Sequence, residues 1–190
     1  MLTFEFVKKY QKFETERLFI RPTTEEDAAF LLELMNSPKW LKFIGDRKVH
    51  SIRDALQYIR AKMLPQLRHL GFSNYTILLK SNQQKIGTCG LFDREGLEGI
   101  DIGFALLPDF EKQGYAFEAA SIMRDSAFEL FGIRFLSAIT TDDNHSSQKL
   151  ITALGLVFDR HISIPNDEAE LRLYTMDIDQ YKNLISTTNH

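Results

Sequence analysis

The sequence is poor in the residues that hold small or metal-built folds together. It has one cysteine, Cys89, in 190 residues, so an internal disulfide is excluded, and no CxxC pair or histidine spacing suggests zinc. No run of about 18 apolar residues occurs, which argues against a membrane-spanning helix. The first ten residues mix charges with apolar side chains and lack the apolar stretch of a secretory leader, so the expected compartment is the cytoplasm. Positive charge is not in excess. With 23 Lys and Arg against 26 Asp and Glu, the formal net charge is −3 and the pI about 6.0, the opposite of a surface built to wrap nucleic acid. Repeats, low-complexity tracts and an internal linker are absent.

What is present is ordinary globular material, 44% hydrophobic and 26% charged, in a chain long enough to bury a core unaided. A single domain over 1–190, with its core at about 15–178, is expected. Residues 17–21 read as a short strand stopped by Pro22. Thr23 and Glu26 have capping-box spacing before an apolar set at Ala28, Leu31, Leu32 and Met35, one face of a helix closed near Pro38. A second helix is expected over 52–64, capped by Ser51. Strands follow at 74–80 and 85–92, joined as a hairpin, and at 99–107, closed by Pro108. The pattern then turns helical. Ala116, Ala120, Met123, Ala127 and Leu130 share one face, with Glu118, Ser121, Asp125 and Glu129 opposite. A strand at 134–140, a short helix from Asn144 to Gly155, and strands at 156–159 and 171–178 complete the set. The tail beyond 183 is weakly patterned. The order is mixed α+β with one β-α-β crossover, which places strands 99–107 and 134–140 side by side and parallel.

The turn Glu111-Lys112-Gln113-Gly114-Tyr115-Ala116 joins a strand to the strongest helix in the chain. Amide groups at a helix start are unpaired and carry partial positive charge, and a glycine lets a bulky anion approach them. Such a turn suits a diphosphate, although one glycine in such a place also serves plain turn geometry. In the strand before it, Ile100, Ile102, Phe104 and Leu106 alternate with Asp101, Gly103 and Ala105. One face is therefore bulky. The other leaves room for an extended ligand or for close helix packing.

The run from Asp101 to Ala119, followed by Asn144-His-Ser-Ser147 and by Ala153-Leu-Gly-Leu-Val-Phe158, resembles the GNAT superfamily of acetyltransferases. Together with Glu16-Arg-Leu-Phe-Ile-Arg-Pro22 and Glu25-Glu-Asp27 it is most similar to the RimJ/RimL-like branch, which acetylates ribosomal-protein N-termini. The likeness covers about 15–177. It implies an α+β GNAT fold: a mixed, mostly antiparallel sheet of six to seven strands, splayed at a central parallel pair, with helices on both faces. The cofactor it implies is acetyl-CoA. Glu111, Lys112, Gln113, Gly114, Tyr115 and Ala116 would take the diphosphate through backbone N–H groups, and Phe104, Ala105, Leu106 and Asn144 would lie along pantetheine. Gly114 and Ala116 match the family's Gln/Arg-x-x-Gly-x-Gly/Ala pattern. Glu111 departs from it and sets a carboxylate beside an anion, a charge that Lys112 and Gln113 could offset.

The implied reaction is direct attack of an amine on the thioester in a ternary complex, which requires a base and help for the leaving thiolate. Asp101 is the candidate base, at a position where the branch usually has Glu; one methylene shorter, it would work through water, with Glu98 in reserve. An exposed strand carboxylate is the plain alternative. Ser147 is the candidate donor to the departing sulfur, where many relatives use tyrosine; its alternative is a helix-start serine satisfying backbone groups. Asn144 also suits an N-cap. Cys89 reads as a core thiol, and Trp40 and 45–48 as packing and surface loop, or as lining for the acceptor. The expected acceptor is a primary amine, foremost a protein or peptide N-terminus; a small amine, or a non-catalytic acyl-CoA sensor, is the competing reading. Neither nucleic acid nor membrane is expected as a partner, and both monomer and homodimer occur in the family.

Overall fold

A computed structural model describes residues 10–165, 167 and 169–188. The strands are β1 (Phe13–Glu14), β2 (Leu18–Pro22), β3 (Asn74–Leu79), β4 (Lys85–Phe92), β5 (Ile100–Leu106), β6 (Phe135–Thr140), β7 (Val157–Ile162) and β8 (Leu171–Asp177). They form an eight-stranded sheet in the order β1-β2-β3-β4-β5-β6-β8-β7. The number exceeds the expected six to seven because two-residue β1 pairs with β2 through Phe13↔Ile20 and Glu14↔Phe19. The helices are α1 (Ala28–Met35), α2 (Pro38–Phe43), α3 (Ile52–Tyr58), α4 (Leu64–Leu70), α5 (Tyr115–Glu129), α6 (His145–Ala153) and α7 (Ile178–Thr188). Among the described residues no helix is long and apolar enough to cross a membrane.

Two compact units divide the chain. One comprises residues up to Gly90 with Phe104–Ala119; the other comprises Leu91–Gly103 with the residues from Ala120 on. The boundaries fall inside β4, inside β5 and inside α5.

In the first unit, α1, α3 and α4 surround a core of Phe30, Leu31, Leu34, Ile59, Met63 and Leu67. The α1 start differs by one residue from the expected Thr23–Glu26 box. Thr24 takes the cap position, its N–H donating to Asp27 Oδ2 (2.9 Å) and its carbonyl accepting from Asp27 N–H (3.0 Å). Thr23 is instead buried and shares a hydrogen bond with Thr76 Oγ1 (2.9 Å). The expected 52–64 helix is interrupted by a π-turn at Ile59–Met63 and runs on to Leu70, where Gly71 closes it at φ +84°. Trp40 lies on α2 and packs against the helical core. Gly87 admits no side chain: a Cβ there would stand 2.3 Å from Ala105 O, so β4 and β5 approach closely.

In the second unit, β5 and β6 are parallel, as the crossover requires, but only Ile100↔Leu136 and Asp101↔Ser137 pair. Ile102 and Gly103 have no partner on β6, and this is the start of the expected splay. Leu130, expected on the buried face of α5, lies beyond the helix end and is exposed, whereas Met123, Ala119, Ala120 and Ala127 are fully buried. The weakly patterned stretch beyond 183 carries, as far as Thr188, the second half of α7. Asp177 Oδ1 accepts from Asp179 N–H (3.0 Å) and Gln180 N–H (2.8 Å), while Gln180 Oε1 accepts from Asp177 N–H (2.8 Å). That reciprocal box starts the helix, and Tyr181 anchors it by stacking on Phe128 at 4.5 Å.

Candidate active site

In the first unit, β5 leads through a 3₁₀ turn (Pro108–Phe110) into the 111–116 turn and then α5. The turn is held open by two left-handed residues, Lys112 (φ +58°) and Gly114 (φ +83°). Lys112, Gln113 and Gly114 are all exposed. Glu111 N–H pairs with Pro108 O (3.2 Å). Among the described residues no acceptor is paired with the amides of Lys112, Gln113, Gly114, Tyr115, Ala116 or Phe117, and the first helical bond runs from Glu118 N–H to Gly114 O (3.0 Å). A row of free amides at a helix start, with a glycine in its midst, fits an anionic diphosphate. The Glu111 carboxylate, the one departure from the family pattern, is ion-paired to Lys39. Gln113 plays no part in that: its side-chain Nε2 donates to Asp109 O (2.8 Å).

Phe104, Ala105 and Leu106 belong to the same unit and are all partly buried on β5. Asp101, Asn144 and Ser147 belong to the second unit. Asp101 is not an exposed strand carboxylate. It is 2% exposed, its Oδ2 accepts from Arg94 Nε (2.9 Å), and its Oδ1 is buried with no hydrogen-bond partner. Burial pushes its pKa up to about 6, against the opposing pull of Arg94 and the Ile139 backbone. The group is thus ionised at neutral pH with one oxygen unused. Glu98, the reserve base, is exposed in the loop before β5.

Asn144 caps α6, its Oδ1 accepting from Ser147 N–H (3.2 Å). The capping task therefore falls to Asn144 through its oxygen, leaving its amide NH₂ as a donor. The Ser147 hydroxyl takes no part in the cap. Ser147 is half-buried, on a helix whose Ile151 is 1% exposed and which Leu154 closes at 0%. Cys89 is fully buried, with its thiol pushed up to about 12 by burial, which leaves it inert as a nucleophile. Sequence reasoning assigned nothing to Arg17, which contacts the turn from β2's leading edge: its Nη1 donates to Gln113 O (2.9 Å). No spacing rule ties residue 17 to residue 113, so only the folded chain reveals this contact.

Residues 17–157 match the family model described as an acetyltransferase (GNAT) domain. The chain is 24% identical over 145 residues to the uncharacterized N-acetyltransferase YoaA of Bacillus subtilis (strain 168), covering 75% of this chain and 80% of that relative. Among solved structures, ribosomal-protein-S5-alanine acetyltransferase from Vibrio fischeri superposes with a TM-score of 0.74 at 18% identity, covering 89% of this chain and 97% of that one. Spermidine N-acetyltransferase from Vibrio cholerae, in complex with CoA and spermine, gives 0.73 at 13% identity, covering 89% and 100%. At such identities the structural likeness speaks for the fold, and the family match speaks for the chemistry. The chain belongs to the GNAT acetyltransferase family and is an acetyl-CoA-dependent N-acetyltransferase.

Proposed function

We propose that this protein acetylates the α-amine of a protein or peptide N-terminus, as a member of the RimJ/RimL-like branch, by direct attack in a ternary complex. The observation that carries this reading is Asp101, a buried carboxylate with a free oxygen and a pKa of about 6. A base that weak matches an amine already partly neutral. An α-amino group has a pKa of about 7.7–8.0, whereas a lysine side chain, at about 10.4, needs a stronger base or a more strongly lowered pKa. The Vibrio fischeri neighbour's name gives its acceptor as an alanine of ribosomal protein S5, which supports the same choice.

Acetyl-CoA supplies an activated thioester carbonyl. In this reading the free amides of Lys112 to Phe117 would hold its diphosphate, Phe104, Ala105 and Leu106 of β5 would contact its pantetheine arm, and the Asn144 side-chain amide would be a further pantetheine donor. Asp101 Oδ1 takes the proton from the attacking amine through a water molecule, because the Asp side chain is short. Ser147 Oγ donates a hydrogen bond toward the departing sulfur; a hydroxyl is too weak an acid to give up its proton there. Single domain architecture over 1–190 is part of this reading.

The test is a CoA-release screen against peptides beginning with Ala, Ser, Thr and Met, with spermidine and spermine alongside. Turnover on the peptides at neutral pH is the expected result. Turnover confined to the polyamines rejects the α-amine reading. Ser147→Ala should lower kcat more than it lowers acetyl-CoA affinity, and a wild-type kcat would remove Ser147 from the chemistry.

A further inference from the structure

The diphosphate turn is braced by one side chain of the first unit. Arg17 Nη1 donates to Gln113 O (2.9 Å), and its Nε donates to Glu118 Oε2 (2.7 Å). Its guanidinium carbon lies 4.4 Å from the Tyr115 ring centre. Its own backbone N–H donates to Glu118 Oε1 (2.9 Å), and the Thr15 hydroxyl donates to that same oxygen. Nη2 stands 3.2 Å from where a Cβ on Gly114 would be, so the guanidinium lies close against the glycine.

These contacts have a directional consequence. Across a trans peptide the carbonyl of one residue and the N–H of the next point opposite ways. A guanidinium pinning Gln113 O therefore turns the Gly114 N–H away from itself and fixes the direction of the central donor in the row. The charge arrangement has a consequence too. Glu118 sits in the first turn of α5, where a carboxylate suits the helix dipole but would repel a diphosphate bound at the same end. Burial would raise its pKa; Thr15 and Arg17 outweigh that and hold it below the usual carboxylate range, so it stays ionised. Arg17 cancels that charge.

We infer that Arg17 is a positioning residue for the cofactor diphosphate: it orients the Gly114 amide and neutralises Glu118, so that the helix start accepts an anion. This rests on the placement of the diphosphate at the 112–117 amides. Lysine cannot replace it in full, because an ammonium lacks the planar fork that reaches Gln113 O and Glu118 together.

The experiment compares acetyl-CoA with S-acetylpantetheine, which carries the thioester and no diphosphate, in the wild type and in Arg17→Ala, Arg17→Lys and Gly114→Trp. In Arg17→Ala the ratio of kcat/KM for acetyl-CoA to that for S-acetylpantetheine should fall about tenfold, the loss of one charge-assisted contact. Arg17→Lys should recover part of it. An unchanged ratio, or an equal loss on both donors as a general folding defect would give, overturns the inference. Gly114→Trp separates the two levels. If it lowers the ratio while Arg17→Ala does not, only the role of Arg17 fails; if it leaves the ratio unchanged, the diphosphate placement fails and the inference falls with it.

Discussion

Asp27 in the first unit and Asp101 in the second are both almost completely withdrawn from solvent, at 0% and 2% exposure, yet their carboxylates are treated in opposite ways. Asp27 receives a two-pronged contact from Arg21 (2.7 and 2.9 Å), an ion pair from Lys85 (2.7 Å), the Thr24 N–H (2.9 Å) and the Thr76 hydroxyl (3.1 Å). Burial is the largest influence on it and would raise its pKa, but Arg21, Lys85 and Thr24 together reverse the sign. Asp101 has one cation, Arg94, on one oxygen, with only the Ile139 backbone pulling the same way, and burial prevails. Depth is therefore no guide to role. A carboxylate whose every lone pair is engaged fastens β2, β3, β4 and the start of α1 together; one left half-engaged keeps a site for a proton.

The largest effect should come from breaking the saturated member. Asp27→Asn leaves Arg21 and Lys85 without a counter-charge in a buried place, and should cost about 3–5 kcal/mol of stability, read as a drop in the urea midpoint. If the loss stays below about 1 kcal/mol, the Asp27 carboxylate is not what fastens these strands and the contrast with Asp101 collapses. Next comes Asp101→Asn, which removes the proposed proton acceptor and should lower kcat/KM by about 100-fold, with stability unharmed because a poorly compensated buried charge is gone. Full activity in this variant would assign Asp101 to the fold, like Asp27.

The pH dependence sharpens the contrast, because the two groups act with opposite signs in neighbouring windows. Asp101 binds its proton more tightly folded than unfolded, its pKa rising from 3.8 to about 6. Between those values the native state holds the extra proton, so stability falls as pH rises from about 4 to about 6 and is flat above. Asp27 has a lowered pKa. Its contribution is present above the ordinary carboxylate value near 3.9 and is lost as pH falls below it. Unfolding midpoints from pH 2 to 8 should therefore pass through a maximum near pH 4 from these two groups, and Asp101→Asn should remove the decline on the alkaline side alone. Over the same range wild-type kcat/KM should fall with unit slope below about pH 8, as the α-amine takes up its proton, and more steeply below about pH 6, as Asp101 takes up its own.

Much of this is legible in the sequence, because the signals are local. The 85–92 run matches β4 over its full span, the Ala120, Met123 and Ala127 positions of the expected α5 face are buried as their period requires, and the crossover alone implies the parallel β5–β6 pair. The free amides of the 112–117 turn follow from a glycine set between strand and helix. The differences are of two kinds. Some are local signals that a neighbour outweighs: the Asp177–Gln180 box is present in the sequence but masked by the polar tail after 183, and Thr23 and Thr24 compete for the α1 cap one residue apart. By contrast, the pairings of Lys39 with Glu111 and of Arg17 with Gln113 join residues 72 and 96 positions apart, and that of Arg94 with Asp101 depends on how the loop before β5 turns back on the strand. A charge's partner decides its pKa, so the difference between Asp27 and Asp101 could not be read from the chain itself.

A third carboxylate supplies the smallest effect and a control for the other two. Glu111 lies at the lip of the diphosphate turn, with its side chain 21% exposed and its partner Lys39 49% exposed. An exposed pair is worth about 0.2–1 kcal/mol, far below the Asp27 cluster, so Lys39→Ala should barely shift the urea midpoint. Its effect should appear on the cofactor instead. Glu111 left alone repels the diphosphate, and the KM for acetyl-CoA should rise about two- to fivefold, the equivalent of that energy. Screening then discriminates between charge and contact. In 1 M salt the Debye length is about 3 Å, so the defect should shrink toward the wild-type value, and Glu111→Gln in the same chain should remove it at low salt. A defect that persists in both conditions would mean that Lys39 holds the turn by packing rather than by charge, and that the departure at 111 from the family pattern has been compensated elsewhere.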